Sequence, residues 1–237
     1  MNAPMIIVKE ALGLLEATRN LRPFAGRSPR SRQRNGKQVM VIGGYLADYL
    51  PQKFVYWGLL NHLRGNGYSA EVSRVNISMG DFHHSAELVG KEIRIRYPEG
   101  VVDIVGHSLG GALAVAIKAL TKTGHRIGMV LTLGTPFLGT PLAPLGWAVE
   151  KTTGASRKLL TRHEKSIRAI SHSIISIVSP GDGIAPPQSS VIPGMPIRII
   201  HLGKRYPRSR ISHIGLVLDP KVQKLIASLL LDGVCVT

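Results

Sequence analysis

The residue whose type and surroundings most clearly suit it for a chemical reaction is Ser108, which stands in the sequence Gly-His-Ser-Leu-Gly at 106–110. The preceding run, 101–105, is mostly apolar and β-branched and predicts a buried strand, whereas the alanine-rich run 109–120 predicts a helix. A G-x-S-x-G pattern between a strand and a helix forms a sharp turn, in which the flanking glycines relieve crowding. The Ser108 hydroxyl would then stand exposed at a helix N-terminus, where free N–H groups favour negative charge.

The rest of the chain alternates between short apolar runs and stretches of helical spacing. Strands are predicted at 38–44, 68–75, 101–106, 127–133, 174–178 and 197–202. Helices are predicted at 51–65, from Ser85 to about Arg96, at 109–120, near 156–170, and from about Pro220 to Leu231. This alternation predicts an α/β protein, in which a sheet carries the loops that hold chemically active side chains.

Length and composition suit a single globular domain, because the 237 residues are 44% hydrophobic and 19% charged. No apolar run approaches the roughly 18 residues of a membrane-spanning helix. Residues 1–10 lack the basic start and the apolar core of a signal peptide. Cys235 is the only cysteine, so no internal disulfide can form, and a reduced, cytoplasmic compartment is expected.

The charge balance is strongly basic, with 30 Lys and Arg residues against 14 Asp and Glu. Residues 1–37 hold 8 basic and 2 acidic residues, and the remainder holds 22 and 12, so both parts are basic. Such an excess attracts anionic partners, and two interpretations stay open: contact with an anionic membrane surface, or a solvated basic surface. Nucleic acid is disfavoured, because no aromatic residue for base stacking lies within 27–37.

Residues 1–37 are predicted to form an N-terminal helix and basic linker, followed by a domain at 38–237. Apolar residues recur at helical spacing across 3–19, and a run at 26–37 has five basic residues and no apolar side chain. The helix could pack on the domain, or it could lie on an anionic membrane beside the basic run.

The serine motif resembles the nucleophile elbow of the α/β-hydrolase superfamily, and its His-Ser-Leu-Gly-Gly form resembles lipases. The segment 134–141, Gly-Thr-Pro-Phe-Leu-Gly-Thr-Pro, resembles the Gly-Thr-Pro-x-x-Gly-Thr segment that follows the same strand in lipase-like members. The resemblance implies the α/β-hydrolase fold: a mostly parallel sheet of six or more strands, helices on both faces, and a small cap insertion at about 142–172.

The same resemblance implies a catalytic triad. Asp182 lies in a turn after a late strand, and His213 lies in a loop after the last strand, which are the places where this fold carries its acid and its histidine. The chain order Ser108, Asp182, His213 matches that of α/β-hydrolases. His201, on the strand predicted at 197–202, is interpreted as a structural histidine.

An oxyanion hole is also implied by the resemblance. Its two backbone N–H donors would come from Tyr45, after the glycine pair that ends the first strand, and from Leu109, after the nucleophile. Gly43 stands where lipase-like members usually have a histidine. The adjacent His83 and His84 lack further ligands at zinc spacing apart from Asp81, so a metal site is not predicted, and Asp81 or Ser85 is interpreted as a helix N-cap.

The sequence therefore predicts a lipase- or esterase-like serine hydrolase that forms an acyl-enzyme on Ser108 and needs no metal or organic cofactor. Its expected substrate is a carboxylic ester with an apolar acyl group. An acyltransferase or thioesterase would use the same triad, and a non-catalytic basic protein that binds membrane or polyanion on a hydrolase scaffold is the rival of another class. The cap contains no motif that identifies the substrate, and the oligomeric state is open.

Overall fold

A sheet of six parallel strands forms the centre of the part of the chain that the computed structural model describes, residues 36–44, 52–75, 81–141 and 147–232. The strands are β1 Gln38–Ile42, β2 Ser69–Val72, β3 Val102–His107, β4 Ile127–Leu133, β5 Ile174–Val178 and β6 Arg198–His201. Their spatial order is β2-β1-β3-β4-β5-β6, and each neighbouring pair is parallel. The predicted α/β architecture with a six-stranded sheet is confirmed.

Helices lie in the connections between strands, except for the fully described connection 179–197 between β5 and β6, and they follow the last strand. They are α1 Gln52–Gly65, α2 Phe82–Arg96, α3 Leu109–Leu120, α4 Trp147–Arg162, α5 Glu164–Ala169, α6 Leu202–Arg205, α7 Gly215–Leu218 and α8 Pro220–Asp232. Helix α2 begins three residues before the predicted Ser85, because the Asp81 carboxylate accepts the backbone N–H of His84 at 2.8 Å and caps the first turn. Of the two N-caps considered from the sequence, the structure selects Asp81.

The two faces of the sheet carry separate apolar layers. Along β1 the side chains alternate, so that Met40 contributes to one layer and Val41 to the other. The first layer includes residues of α2, α3, α4 and α5, and the second includes residues of α1, α7 and α8. Both faces are therefore covered by helices, as predicted, and burial on both sides explains why β3 and β4 are nearly continuous apolar runs.

The described part of the segment predicted as a cap, residues 147–172, contains two α-helices where the sequence predicted a single helix near 156–170. Helix α4 begins at Trp147, well before the predicted start, and α5 is separated from it at His163. Leu159, Leu160 and Ile167 are buried against the domain. The basic side chains of these helices whose exposure is described are all exposed, namely Arg157, Lys158, Arg162, Lys165 and Arg168. The insertion is thus an amphipathic layer with a basic outer surface.

Partly buried charged side chains hold the amino ends of the strands. The Asp103 carboxylate, near the start of β3, accepts the backbone N–H of Met129 at 2.7 Å. The Lys118 ammonium donates to the carbonyls of Ile127 and Gly128 at the start of β4. Burial raises the pKa of Asp103 and lowers the pKa of Lys118, and each charge partly offsets the shift of the other. These contacts fasten α3 and β4 to the sheet at the end opposite the serine.

Several predictions fall on residues outside the described ranges: the N-terminal helix at 3–19, the basic linker, Tyr45 and Cys235. The division of the chain at residue 37 stays a prediction. Among the helices of the described ranges, none has the length and apolar character needed to span a membrane.

Candidate active site

Ser108 occupies a strained elbow between β3 and α3. Its backbone has φ 56° and ψ −129°, and it is the only non-glycine residue with positive φ in the ranges that the structure describes. Such a conformation is costly for a residue with a side chain and persists where neighbouring contacts hold it. The Ser108 N–H donates to the carbonyl of Leu133 at 2.8 Å, which ties the elbow to the end of β4.

Glycines make room for this elbow, as the motif predicted. A Cβ at Gly106 would lie 2.5 Å from the carbonyl oxygen of Gly110, and a Cβ at Gly110 would lie 2.3 Å from that of Ile42. A Cβ at Gly44 would lie 2.7 Å from the Cβ of Ser108. Because real Cβ atoms do not approach so closely, any side chain at these positions would displace the serine or the strand beside it.

Asp182 and His213 form a buried pair at the carboxyl end of the sheet. The Asp182 carboxylate contacts the His213 ring, with 2.8 Å between Oδ2 and Nδ1. Its other oxygen, Oδ1, accepts the backbone N–H groups of Ile184 at 2.9 Å and Ala185 at 2.7 Å. An ionised carboxylate only accepts hydrogen bonds, so the proton on His213 lies on Nδ1 and the Nε2 atom is left as the basic nitrogen.

The segment 134–141 borders this pair. Gly134 has φ +52°, and a Cβ there would lie 2.4 Å from Oδ2 of Asp182 and 3.1 Å from Nδ1 of His213. Its N–H donates to the carbonyl of Ile177 at 3.1 Å. The glycine of the Gly-Thr-Pro motif is therefore required by the close approach of the acid and the histidine.

The histidine loop also contacts the strand that carries the serine. Nε2 of His107, the residue before Ser108, lies 3.1 Å from the carbonyl oxygen of His213, and the two imidazole rings have centroids 4.7 Å apart. The structure thus gathers the three predicted side chains at one end of the sheet. Ser108 is partly accessible, whereas Asp182 and His213 are each 3% exposed.

Two residues of this region were not predicted to have a role. Tyr56 on α1 and His107 on β3 are both buried, and the Tyr56 hydroxyl lies 3.0 Å from Nδ1 of His107. The same hydroxyl accepts the backbone N–H of Gly44 at 3.2 Å. A histidine next to the motif serine is the one signal in the sequence, and nothing in the spacing links it to Tyr56.

The other candidate residues have more ordinary surroundings. Leu109 is the first residue of α3, so its N–H has no carbonyl one turn earlier in the helix and is available to a ligand. Tyr45, the second proposed donor, lies outside the described residues. His201 is exposed on β6, and His83 and His84 are exposed at the start of α2. No group of three or more metal-ligating side chains occurs within the described ranges.

The fold and the geometry of this end of the sheet define the class of protein: the chain has the α/β-hydrolase fold. The mature form of a lipase from Bacillus licheniformis aligns with a TM-score of 0.59 at 15% identity, covering 89% of this chain and 96% of that chain. A thioesterase of the prodiginine biosynthetic pathway in Streptomyces coelicolor aligns with a TM-score of 0.56 at 15% identity, covering 93% and 100%.

A third similar structure is an α/β hydrolase enzyme from the metagenome of lagoon sediments at Mar Chica, Morocco. It aligns with a TM-score of 0.55 at 12% identity, covering 84% of this chain and 92% of that chain. No family model matches the sequence, and no curated protein matches it significantly. The resemblance in fold that the elbow motif implied is confirmed at the level of the architecture.

Proposed function

We propose that the protein is a serine hydrolase that cleaves carboxylic esters, with Ser108 as nucleophile, His213 as general base and Asp182 as the group that orients it. The observation that carries the proposal is the buried contact between Asp182 and His213, beside a serine held at φ 56°. A structural histidine needs no carboxylate that is itself aimed by two backbone N–H groups, whereas a general base that must keep one tautomer does.

Acylation follows from these roles. The basic Nε2 of His213 takes the proton of the Ser108 hydroxyl as its oxygen attacks the ester carbonyl carbon. The carbonyl electrons move to the oxygen and form a tetrahedral oxyanion, while Asp182 stabilises the imidazolium. When the carbonyl reforms, the bond to the alcohol breaks and the alcohol leaves with the proton from His213. The product is an acyl-enzyme on Ser108.

Backbone donors would hold the oxyanion during both steps. The N–H of Leu109 at the start of α3 is one donor, and the N–H of Tyr45 is the other that we propose. Each donor of this kind is worth about 3 kcal/mol in the transition state. Water then attacks the acyl-enzyme with His213 again as the base, which releases the carboxylic acid and restores the Ser108 hydroxyl.

The proposed substrate is a neutral ester with an apolar acyl group. Leu138, on the segment that borders the Asp182–His213 pair, is 39% exposed, and an apolar chain could cover it. Activity against p-nitrophenyl esters of graded chain length tests this point. A preference that rises with the number of acyl carbons supports an apolar acyl site, and the reverse preference contradicts it.

The nucleophile is tested with a fluorophosphonate probe on the full-length protein. Wild type should be labelled and should hydrolyse short p-nitrophenyl esters, whereas Ser108→Ala should do neither. Ser228→Ala is the matched control, because Ser228 is an exposed serine on α8. An unlabelled wild type without esterase activity would overturn the proposal and would favour a non-catalytic role for the scaffold.

Acyl transfer and thioester hydrolysis remain alternatives of the same chemistry, since the triad activates the serine regardless of the leaving group or acceptor. They are separated by comparing kcat/KM for matched oxygen esters and thioesters, and by adding an alcohol acceptor during turnover. A clear preference for the thioester, or accumulation of the transferred ester in place of free acid, would redefine the reaction while Ser108 keeps its role.

We propose an anionic membrane surface as a partner of the basic segments. The exposed basic side chains of α4 and α5 support this, together with the basic run at 26–37. Co-sedimentation with phosphatidylglycerol vesicles should exceed that with phosphatidylcholine vesicles and should fall with added salt. Deletion of residues 1–37 tests the contribution of the basic run, because unchanged binding would assign the surface to residues 38–237.

A further inference from the structure

A buried chain of hydrogen bonds links the two sides of the candidate active site through β3. It runs from the N–H of Gly44 to the Tyr56 hydroxyl at 3.2 Å, and from that hydroxyl to Nδ1 of His107 at 3.0 Å. It continues from Nε2 of His107 to the carbonyl of His213 at 3.1 Å. Tyr56 is 1% exposed and His107 is 3% exposed, so water does not compete with these bonds.

Only one arrangement of protons satisfies every member of this chain. The His213 carbonyl can only accept, so Nε2 of His107 carries the proton and donates it. Nδ1 of His107 is then bare and accepts the Tyr56 O–H, while the Tyr56 oxygen accepts the N–H of Gly44. His107 is therefore neutral. Burial lowers its pKa further below the ordinary value than the charge of His213 does, and burial raises the pKa of Tyr56.

The two ends of the chain are the parts of the site that must be placed accurately. Gly44 directly precedes Tyr45, the second oxyanion donor of the proposed function, and its Cα lies against Ser108. His213 is the proposed general base, and its loop carbonyl is held by the residue that precedes the nucleophile. The buried pair of Tyr56 and His107 thus connects the oxyanion side of the candidate site to the side of the general base, and Ser108 lies between these two sides.

The neutral state of His107 also favours the proposed proton transfer from Ser108 to His213. Its ring centroid lies 4.7 Å from that of His213, which must become positively charged as it takes the serine proton. A second positive charge at this distance would oppose that step, because interactions between buried charges are weakly screened. A proton on Nδ1 would also meet the Tyr56 oxygen and leave the Tyr56 O–H without its acceptor.

We propose that Tyr56 and His107 are positioning residues for the reaction, an inference that rests on the proposed function. His107 fixes the position of the His213 backbone, and Tyr56 fixes the backbone of Gly44 beside Ser108. Neither residue touches the reacting atoms. Their loss acts on the alignment of Ser108, His213 and the oxyanion, which lowers kcat more than it raises KM.

Three variants test this assignment by ester hydrolysis. Tyr56→Phe keeps the ring and removes the hydroxyl, and it should lower kcat about 10-fold with KM within about twofold of wild type. His107→Leu removes both hydrogen bonds, and kcat should fall about 100-fold. His107→Gln keeps a donor that can reach the His213 carbonyl and should recover part of that loss.

Tyr68→Phe is the matched control. Tyr68 is also buried, and its hydroxyl donates to the carbonyl of Ala227 at 2.9 Å, away from the serine. It should lose thermal stability to a similar extent as Tyr56→Phe while keeping the wild-type kcat. The inference is overturned if Tyr56→Phe and Tyr68→Phe have equal kcat values, or if His107→Leu retains wild-type turnover.

The positioning roles of Tyr56 and His107 can prove wrong while the proposed function still holds. If wild type is labelled by fluorophosphonate and hydrolyses esters, but the Tyr56 and His107 variants match the control, then only the positioning roles are wrong. If wild type is neither labelled nor active, the proposed function has failed first. Circular dichroism melting of every variant shows whether a loss of kcat is measured on folded protein. If His107→Leu does not fold, the comparison of Tyr56→Phe with Tyr68→Phe tests the positioning roles, because Tyr56→Phe is the smallest change.

Discussion

The amino and carboxyl ends of the sheet both contain ionisable side chains, but these differ in burial and in what they bind. At the amino end, Asp103 and Lys118 are only partly buried, and they bind backbone groups of β4. At the carboxyl end, Asp182 and His213 are buried, bind each other, and lie against Gly134, where no volume is left for a side chain. A charged group near solvent fastens elements and tolerates small shifts, whereas a buried polar network fixes one geometry. We therefore expect substitutions at the amino end to change stability and substitutions at the carboxyl end to change turnover.

The largest effect should come from Asp182→Asn. An amide presents either an N–H or an oxygen to His213 and no longer selects the tautomer with a basic Nε2, so kcat should fall about 10³- to 10⁴-fold. Steady-state kinetics of ester hydrolysis measures this loss, and a melting curve shows whether the variant is folded. Wild-type turnover in a folded variant would remove Asp182 from the triad and would break the contrast between the two ends.

Gly134→Ala should show how little room the carboxyl end has. Its Cβ would meet the Asp182 carboxylate at 2.4 Å, so the acid and His213 must shift, and kcat should fall about 100-fold. Gly194→Ala is the control, because Gly194 has a similar φ of +69° but its Cβ would have no neighbour closer than 3.8 Å. Each variant should lose about 1 kcal/mol of stability from the left-handed backbone, and Gly134→Ala should lose more because its Cβ also clashes. Equal kcat values for the two would mean that the close approach is not needed for catalysis.

Lys118→Met tests the amino end. The variant keeps most of the apolar stem but removes the donor to the carbonyls of Ile127 and Gly128, so the free energy of unfolding should fall by about 2 kcal/mol. Because the serine lies at the opposite end of α3, kcat should stay within about twofold of wild type. Urea denaturation and ester kinetics give both numbers, with the exposed Lys122→Met as control. A large drop in kcat would show that the two ends are coupled.

The smallest predicted effect is a loss of folding stability at acidic pH. The pKa of His107 is lowered in the folded protein from the value of 6.5, mainly by burial, so below about pH 6.5 the unfolded chain binds a proton that the folded protein excludes. The stability that depends on neutral His107 is thus complete above that pH and is lost progressively as the pH falls below it. His107→Gln should lack this part of the pH dependence in urea denaturation. Tyr56 and His213, which contact the ring, are present in both proteins, and parallel pH profiles would contradict the prediction.

Several features of the molecule follow from local patterns in the sequence. The apolar runs predicted β3, β4 and β5 within a residue or two, because strands buried on both faces must be continuously apolar. The glycines around Ser108 predicted a strained turn, and the backbone angles of that residue agree. The two helices α4 and α5 were predicted less well, since the chain from Trp147 to Ala169 has no proline or glycine pair that marks the break at His163.

The amino-acid sequence by itself determined the order of the six strands and the elbow at Ser108, because both depend on local patterns along the chain. The candidates Asp182 and His213 came from the resemblance to a known fold, which assigns them by their places after late strands. Only the tertiary structure decided that Asp182 pairs with His213 while His201 stays exposed on β6. It also decided that Tyr56, 51 positions before His107, meets it in the interior. These contacts depend on how parallel strands and their helices bring distant loops to one end of the sheet, and hydrogen bonds across such distances leave no periodic trace in the sequence.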